Sequence, residues 1–577
     1  MNITVILGIA AACLLIAYFL YGSFLARMFR LDRRAKTPAV EMRDDVDYVP
    51  IEPKFLLGQH FSAIAAAGPI VGPIVAGVRM GWLPAILWII VGSIFIGGVH
   101  DMTTLIASVR HKARSITELV REYMSRRAFI IFLIFIWVTL VYIIVVFTDI
   151  TASSFVGMVK LDNGEEVKGG AIAASSLIYL GLPIVMGLLM RYAKLSLFAA
   201  TVIFLPLVGV AIWCGKFIPF SLDDIVLRLG LASDPSQAVS VAIKMWDVML
   251  LVYCYIASLV PMWLLLQPRG YLGGFFLYIV LIGGTLGLIL SGESVKYPAV
   301  IAGSPDPVFP MLFILIACGA CSGFHAIVSS GTTCKQLRYE TDAKIIGYGA
   351  MLLEAFVAVI SLCCVIILAK ESALVQKSPN FIYAAGIGRF LETFGVPASF
   401  GISFGLLAFT TFVYDTLDVC TRLGRYIIEE LTGLRGRWGR LAANLITAAA
   451  PLFFVMRTMI DPATGKSSPA WKYFWSLFGA SNQLLAAIAL LCVTVWIVRT
   501  FKVKIIAVVT ALPTTFMYVT SIWALMRLIT KSFTKEGIFT INADPVPWVA
   551  VFLILLSLIM LIEALISFIK PVKGNKT

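Results

Sequence analysis

Long apolar runs alternate with short polar, mostly basic segments along the whole chain. Crossing the hydrocarbon of a bilayer takes roughly 20 apolar residues as a helix. Fifteen stretches reach or approach that length: 4–26, 57–78, 82–109, 128–158, 171–190, 195–214, 246–267, 271–291, 309–330, 345–369, 399–421, 441–456, 471–498, 505–526 and 547–569. Lipid offers the backbone no hydrogen-bond partners, so such runs predict helices rather than isolated strands. The expected fold is an all-α polytopic membrane protein with about 15 transmembrane helices.

Composition agrees: 60% of the 577 residues are hydrophobic and 14% charged, against roughly half and roughly a quarter in soluble domains. Lys and Arg collect in cytoplasmic loops. With the N-terminus outside, the inner segments (27–54, 110–127, 191–194, 269, 331–344, 421–440, 499–504 and 570–577) carry 30 of the 46 Lys and Arg. The net charge of +14 is then an orientation signal spread over many loops, and nucleic acid is not an expected partner. The first stretch has its arginines after it, which predicts an uncleaved anchor rather than a signal peptide. A multi-pass protein of the bacterial inner membrane is expected. The ten Cys show no CxxC and imply no disulfide framework.

Helix breakers mark two of the stretches. The second contains GPIVGP at Gly68–Pro73; each proline removes a backbone donor and each glycine a stiffening side chain. The seventh carries Ser258-Leu259-Val260-Pro261. Unpaired backbone at membrane depth is tolerated where it lines a cavity. Two interrupted helices of opposite direction, five apart, fit an inverted-repeat transporter with substrate and ion at the breaks. A half-helix N-terminus at the second stretch suits a carboxylate, so Ala66, Ala67, Gly68 and Gly72 are substrate-binding candidates, with Tyr253 and Ser258 at the seventh.

Several strings are specific enough to carry a family resemblance: GQHFSAIAAAGPIVGP from Gly58, GGVHD from Gly97, VPMWLLLQPRGYL from Val260, SGFHAIVSSGTTCKQL from Ser322, TLDVCTRLGRYI from Thr416 and SLFGASNQLLAAIAL from Ser476. Together they resemble the carbon starvation protein A (CstA) family over nearly the whole chain. The resemblance implies uptake of peptides or, in some members, pyruvate when nutrients are scarce. It also implies a leucine-transporter-like 5+5 inverted-repeat core with peripheral helices. The expected division is a leading helix and basic loop over 1–54, the transporter core over 55–432 and peripheral C-terminal helices over 433–577. The same architecture implies an ion-site role for Ser329 and Ser330.

Ionisable residues inside spans cost about 2.5–3.5 kcal/mol or more at the bilayer centre, so each is a functional candidate. Asp101, Asp149, Glu354 and Asp415 are the carboxylates in question, and Asp418 with Arg422 is expected to form an i,i+4 ion pair. The ninth stretch carries a polar stripe of Ser322, His325, Ser329 and Thr332. The expected function is secondary active import of small carboxylates, most directly peptides. A pyruvate-type symporter or a solute sensor without net transport are the alternatives. An enzyme is not expected, since no nucleotide motif or HExxH is present. No cofactor or metal is implied; the coupling ion is expected to be H+ rather than Na+, although hydroxyls at Ser329 and Ser330 would suit sodium. Oligomeric state is left open.

Overall fold

A computed structural model describes residues 2–569 apart from 45–46, 161–165, 219, 305, 458, 461–466, 502–503, 536–537, 540 and 542–543. Apart from three short two-stranded hairpins, the described regular structure is helical. The leading rod is α1 (Ile3–Phe19) and α2 (Tyr21–Met28), followed by the short α3 (Pro38–Glu41). Next come α4 (Pro53–Ile64), α5 (Gly68–Met80), α6 (Trp82–Gly92) and α7 (Gly98–Arg110), the last two joined by a π-helical turn, Ser93–Gly97. The amphipathic α8 (Ile116–Tyr123) leads into α9 (Arg126–Ser154). Then follow α10 (Gly169–Tyr192), α11 (Leu197–Gly215), α12 (Leu222–Arg228), α13 (Pro235–Leu259) and α14 (Leu266–Ser291). Three short pieces, α15 (Val308–Leu315), α16 (Ala317–Ala320) and α17 (Phe324–Gly331), precede α18 (Ala350–Ile366). The chain ends with α19 (Pro379–Glu392), α20 (Ala398–Thr432), α21 (Gly436–Val455), α22 (Ala470–Thr500), α23 (Ile506–Phe533) and α24 (Pro545–Ile569).

Among the described residues, thirteen helices are long and apolar enough to cross a membrane, and the pair α4–α5, bent by 51°, counted as one span makes a fourteenth. The ninth apolar stretch, α15 to α17, also runs from face to face. At its start Asp306 pairs with Arg79 at the end of α5, 2.9 Å away. Beyond its end, Gln336 O accepts from Ile51 N and Glu340 pairs with Arg110 at 2.7 Å. That second face also gathers Phe29 O, which accepts from Arg110, and Tyr123 O, which accepts from Arg499. The basic segments 27–54, 110–127, 331–344 and the end of α22 at Arg499 therefore share one face, while Ile3 N bonds Glu293 O on the other.

Three expectations are corrected. The seventh stretch is not a broken helix: α13 runs continuously from Pro235 to Leu259, capped by Asp234, whose side chain accepts from Gln237 N. Its Ser258–Pro261 end is the turn into α14. Asp234-Pro235 is a helix-start signal of N-cap and N1 proline, but it lies outside the apolar window. The second discontinuous crossing is the ninth, where backbone regularity fails at Ile316 and again at Cys321–Gly323.

The thirteenth stretch is also misplaced by the expected division of the chain. Helix α22 is not a peripheral trailing helix; it is buried along nearly all of its length, and it packs on α7, α8, α9, α15, α16 and α17. A helix apolar on every side belongs in the interior. Finally, α19 went unpredicted: at 14 residues it is too short to span, yet it is largely buried against α14, α18 and α20.

Candidate functional site

The two discontinuous crossings meet. Helix α4 stops at Ile64 and α5 starts at Gly68, so the break is Ala65–Ala67, just before the GPIVGP run rather than within it. Pro69 sits in the first turn of α5, where its missing N–H costs nothing. Gly68 and Gly72 let the second broken crossing approach. A Cβ at Gly68 would lie 2.5 Å from Cys318 Cβ, and one at Gly72 would lie 2.5 Å from Leu315 O. These two glycines serve close helix packing, and Ala66 is the residue of this break that lines the pocket between the two crossings.

That pocket is narrow. Its polar groups come from Ser322 in the second break, Thr416 of α20 and Asn482 of α22; Ile143 and Phe147 of α9 and Phe478 of α22 supply apolar walls. Asn482 repairs the second break from outside. Its main-chain O accepts from Gly323 N, its Oδ1 accepts from Phe324 N at 3.2 Å, and its Nδ2 donates to Ser322 Oγ at 3.1 Å. The first-turn N–H groups are already paired, Ile70 and Val71 with Ala67 O, His325 with Ser322 O and Ala326 with Gly323 O, so the pocket offers an amide, two hydroxyls and apolar walls between two helix starts. At about 10 Å³ the cavity has room for no more than a water, so a solute enters it only when the two crossings move apart.

Behind α17 lies a buried chain of ionisable groups. Asp101 Oδ1 is 2.7 Å from His100 Nδ1 and Asp101 Oδ2 is 2.7 Å from His325 Nδ1. The other ring nitrogen of His325, Nε2, stands 3.1 Å from Glu354 Oε2. All four side chains are at most 1% exposed. Glu354, isolated among small residues in the sequence, thus has a titratable neighbour across the helix interface. Ser329 Oγ, His100 Nε2 and His60 Nε2 are buried without hydrogen-bond partners, while His60 Nδ1 pairs with Thr333 Oγ1 at 2.9 Å.

The remaining candidates lie elsewhere. Ser330 Oγ donates to Ala326 O and accepts from Ile116 N, tying α17 to the start of α8. Asp149 accepts from Trp471 N at 2.8 Å, at the N-terminal end of α22. Ser258 Oγ bonds Asn444, and Tyr253 belongs to a network built on Arg269. That arginine, expected in a cytoplasmic loop, is fully buried and pairs with Asp415 at 2.7 Å and Asp418 at 2.6 Å. The expected Asp418–Arg422 pair does not form; Arg422 instead donates to the carbonyls of Ala257 and Val260 at the end of α13.

Sequence reasoning missed Asn482 and Asp247, and it put Arg269 in a loop. Each is a polar side chain within or beside an apolar run, a signal that was available. Asp247 is fully buried, and neither carboxyl oxygen has a hydrogen-bond partner.

Residues 2–381 and 369–524 match the family described as carbon starvation protein CstA. The peptide transporter CstA of Campylobacter jejuni is 31% identical over 90% of this chain and 79% of its own length. The pyruvate/proton symporter BtsT of Escherichia coli is 30% identical over 91% of this chain and 81% of its own, and the peptide transporter CstA of Bacillus subtilis is 29% identical over 98% and 96%. Among solved structures, a manganese transporter mutant from Eremococcus coleocola covers 90% of this chain and 97% of its own, with 14% identity and a TM-score of 0.46. The length of these sequence matches and the many apolar helices make this chain a multi-pass protein of the bacterial inner membrane that belongs to the carbon starvation protein CstA family.

Proposed function

We propose that the protein is a secondary active importer of small carboxylate nutrients, with peptides as the first substrate class. The observation that carries this reading is the meeting of two discontinuous crossings at one pocket, with Ala66, Ser322 and Asn482 on its wall. A transporter needs a binding site near the middle of the membrane whose walls rearrange, and broken helices supply both unpaired backbone and joints. The substrate carboxylate is assigned to the Ser322 and Asn482 side of the pocket, where it would replace the contacts Asn482 makes with Ser322 and Cys318, and its apolar part to Phe147 and Phe478.

A second reading, a pyruvate-sized monocarboxylate, is supported by a relative named a pyruvate/proton symporter. Protons are the preferred coupling ion under either reading, supported by the buried Asp101, His325 and Glu354 chain. Uptake into proteoliposomes of purified protein, using labelled dipeptides and labelled pyruvate, tests the reading. Saturable uptake of one class that the other does not compete for identifies the substrate. Absence of any uptake or counterflow across both classes refutes the transporter assignment.

A further inference from the structure

Three helices place an imidazole between two carboxylates with almost no solvent. His325 of α17 directs Nδ1 at Asp101 of α7 and Nε2 toward Glu354 of α18, at 2.7 and 3.1 Å. A neutral imidazole carries one N–H and an ionised carboxylate carries none. If Nδ1 donates to Asp101, a neutral His325 leaves a bare nitrogen facing Glu354, and two ionised carboxylates would then share a dry interior without a cation. One further proton resolves the conflict, either on Nε2 or on Glu354.

The surroundings contain no fixed positive charge that would do this instead. The titratable groups in electrostatic reach, among the described residues, are His100 beside Asp101, His60 from α4, and the thiols of Cys318 and Cys321 from the second broken crossing. No Lys or Arg acts on the cluster from these elements. Glu354 Oε1 is buried with no donor, and Oε2 receives no aligned hydrogen bond, so the ionised form of this carboxyl lacks the donors that normally stabilise it.

We infer that His325 and Glu354 form a one-proton site in which the coupling ion is carried. Transfer within the site breaks the Nε2–H bond as the Glu354 Oε2–H bond forms, converting imidazolium and carboxylate to neutral imidazole and carboxylic acid with no change in net charge. Release of the proton leaves Asp101 and Glu354 both ionised. That state is costly while dry and favours a rearrangement that admits water. The mobile piece is at hand, because His325 lies one residue from Phe324, whose N–H is held by Asn482 at the pocket. Asp101 is the positioning residue that fixes the His325 tautomer.

This inference rests on the transporter reading for its physiological meaning but is tested separately from it. In proteoliposomes without sodium, an inward proton gradient of one pH unit drives up to about tenfold accumulation by a 1:1 proton symporter, since 1.36 kcal/mol is a factor of ten. Glu354→Gln is expected to keep counterflow and lose accumulation entirely, and His325→Gln to do the same. Accumulation that survives in Glu354→Gln overturns the assignment. Infrared difference spectra of purified wild-type protein across a pH step supply a readout independent of substrate: a protonated-carboxyl band is expected, and it must vanish in Glu354→Gln. If that variant fails to fold, the absence of any titrating carboxyl band in wild type overturns the proposal. Failure of wild-type counterflow alongside a Glu354 band would instead refute the transporter reading while leaving the proton site standing.

Discussion

Arg269 Nη1 of α14 and Asp418 Oδ2 of α20 stand 2.6 Å apart, with the arginine side chain wholly removed from solvent. Asp415 holds the same guanidinium through Nε, and Tyr414 O accepts from Nη2 at 3.2 Å. This network braces α20 on the two sides of Thr416, the residue that α20 contributes to the pocket. Removing one member leaves an uncompensated buried charge, which costs about 3–5 kcal/mol. Arg269→Met is therefore expected to lower the melting temperature sharply in detergent. Combining it with Asp415→Asn and Asp418→Asn should recover part of the loss; a single variant as stable as wild type would contradict the pairing.

Asn482→Ala removes the acceptor for Phe324 N and the donor to Ser322. Each buried group left unsatisfied costs about 1–3 kcal/mol. We expect a folded, less stable protein with substrate uptake reduced far more than its melting temperature implies. Unchanged uptake in Asn482→Ala would separate the second break from substrate binding.

Gly72→Val places a side chain against Leu315 O, 2.5 Å from where its Cβ would sit. Because that neighbour is backbone, the broken crossings must move apart, at about 1–3 kcal/mol for overpacking. The expected result is normal membrane insertion with uptake abolished. Gly72→Ala should lie between Gly72→Val and wild type in both melting temperature and uptake.

Orientation follows from the gathering of basic segments on one face. A cytoplasm-active reporter fused after Thr577 should be functional, whereas one active only outside should be silent. The reverse pattern would invert the assigned faces.

Hydropathy alone made the membrane-spanning stretches legible, because bilayer thickness imposes a length and an unpaired backbone in lipid imposes helix. The doubled Gly-Pro located one break to within a few residues, since its chemistry is local. The other break was not legible: Gly319-Ala320-Cys321-Ser322-Gly323 reads as a continuing helix of small residues, and it is Asn482, some 160 positions away, that accepts from Gly323 N and Phe324 N where the helix stops. Asp101, His325, Glu354 and Asp415 each stood out singly, as charges in lipid must. Which of them touch was decided by packing: α7, α17 and α18 converge on one imidazole, while Arg269 draws Asp415 and Asp418 into a separate network. Sequence by itself determined the solvent, the helices, the family and the suspect charges, all of which depend on local composition or short strings. Pairing among those charges depends on which helix faces meet, and that is set only when long-range contacts fill the interior.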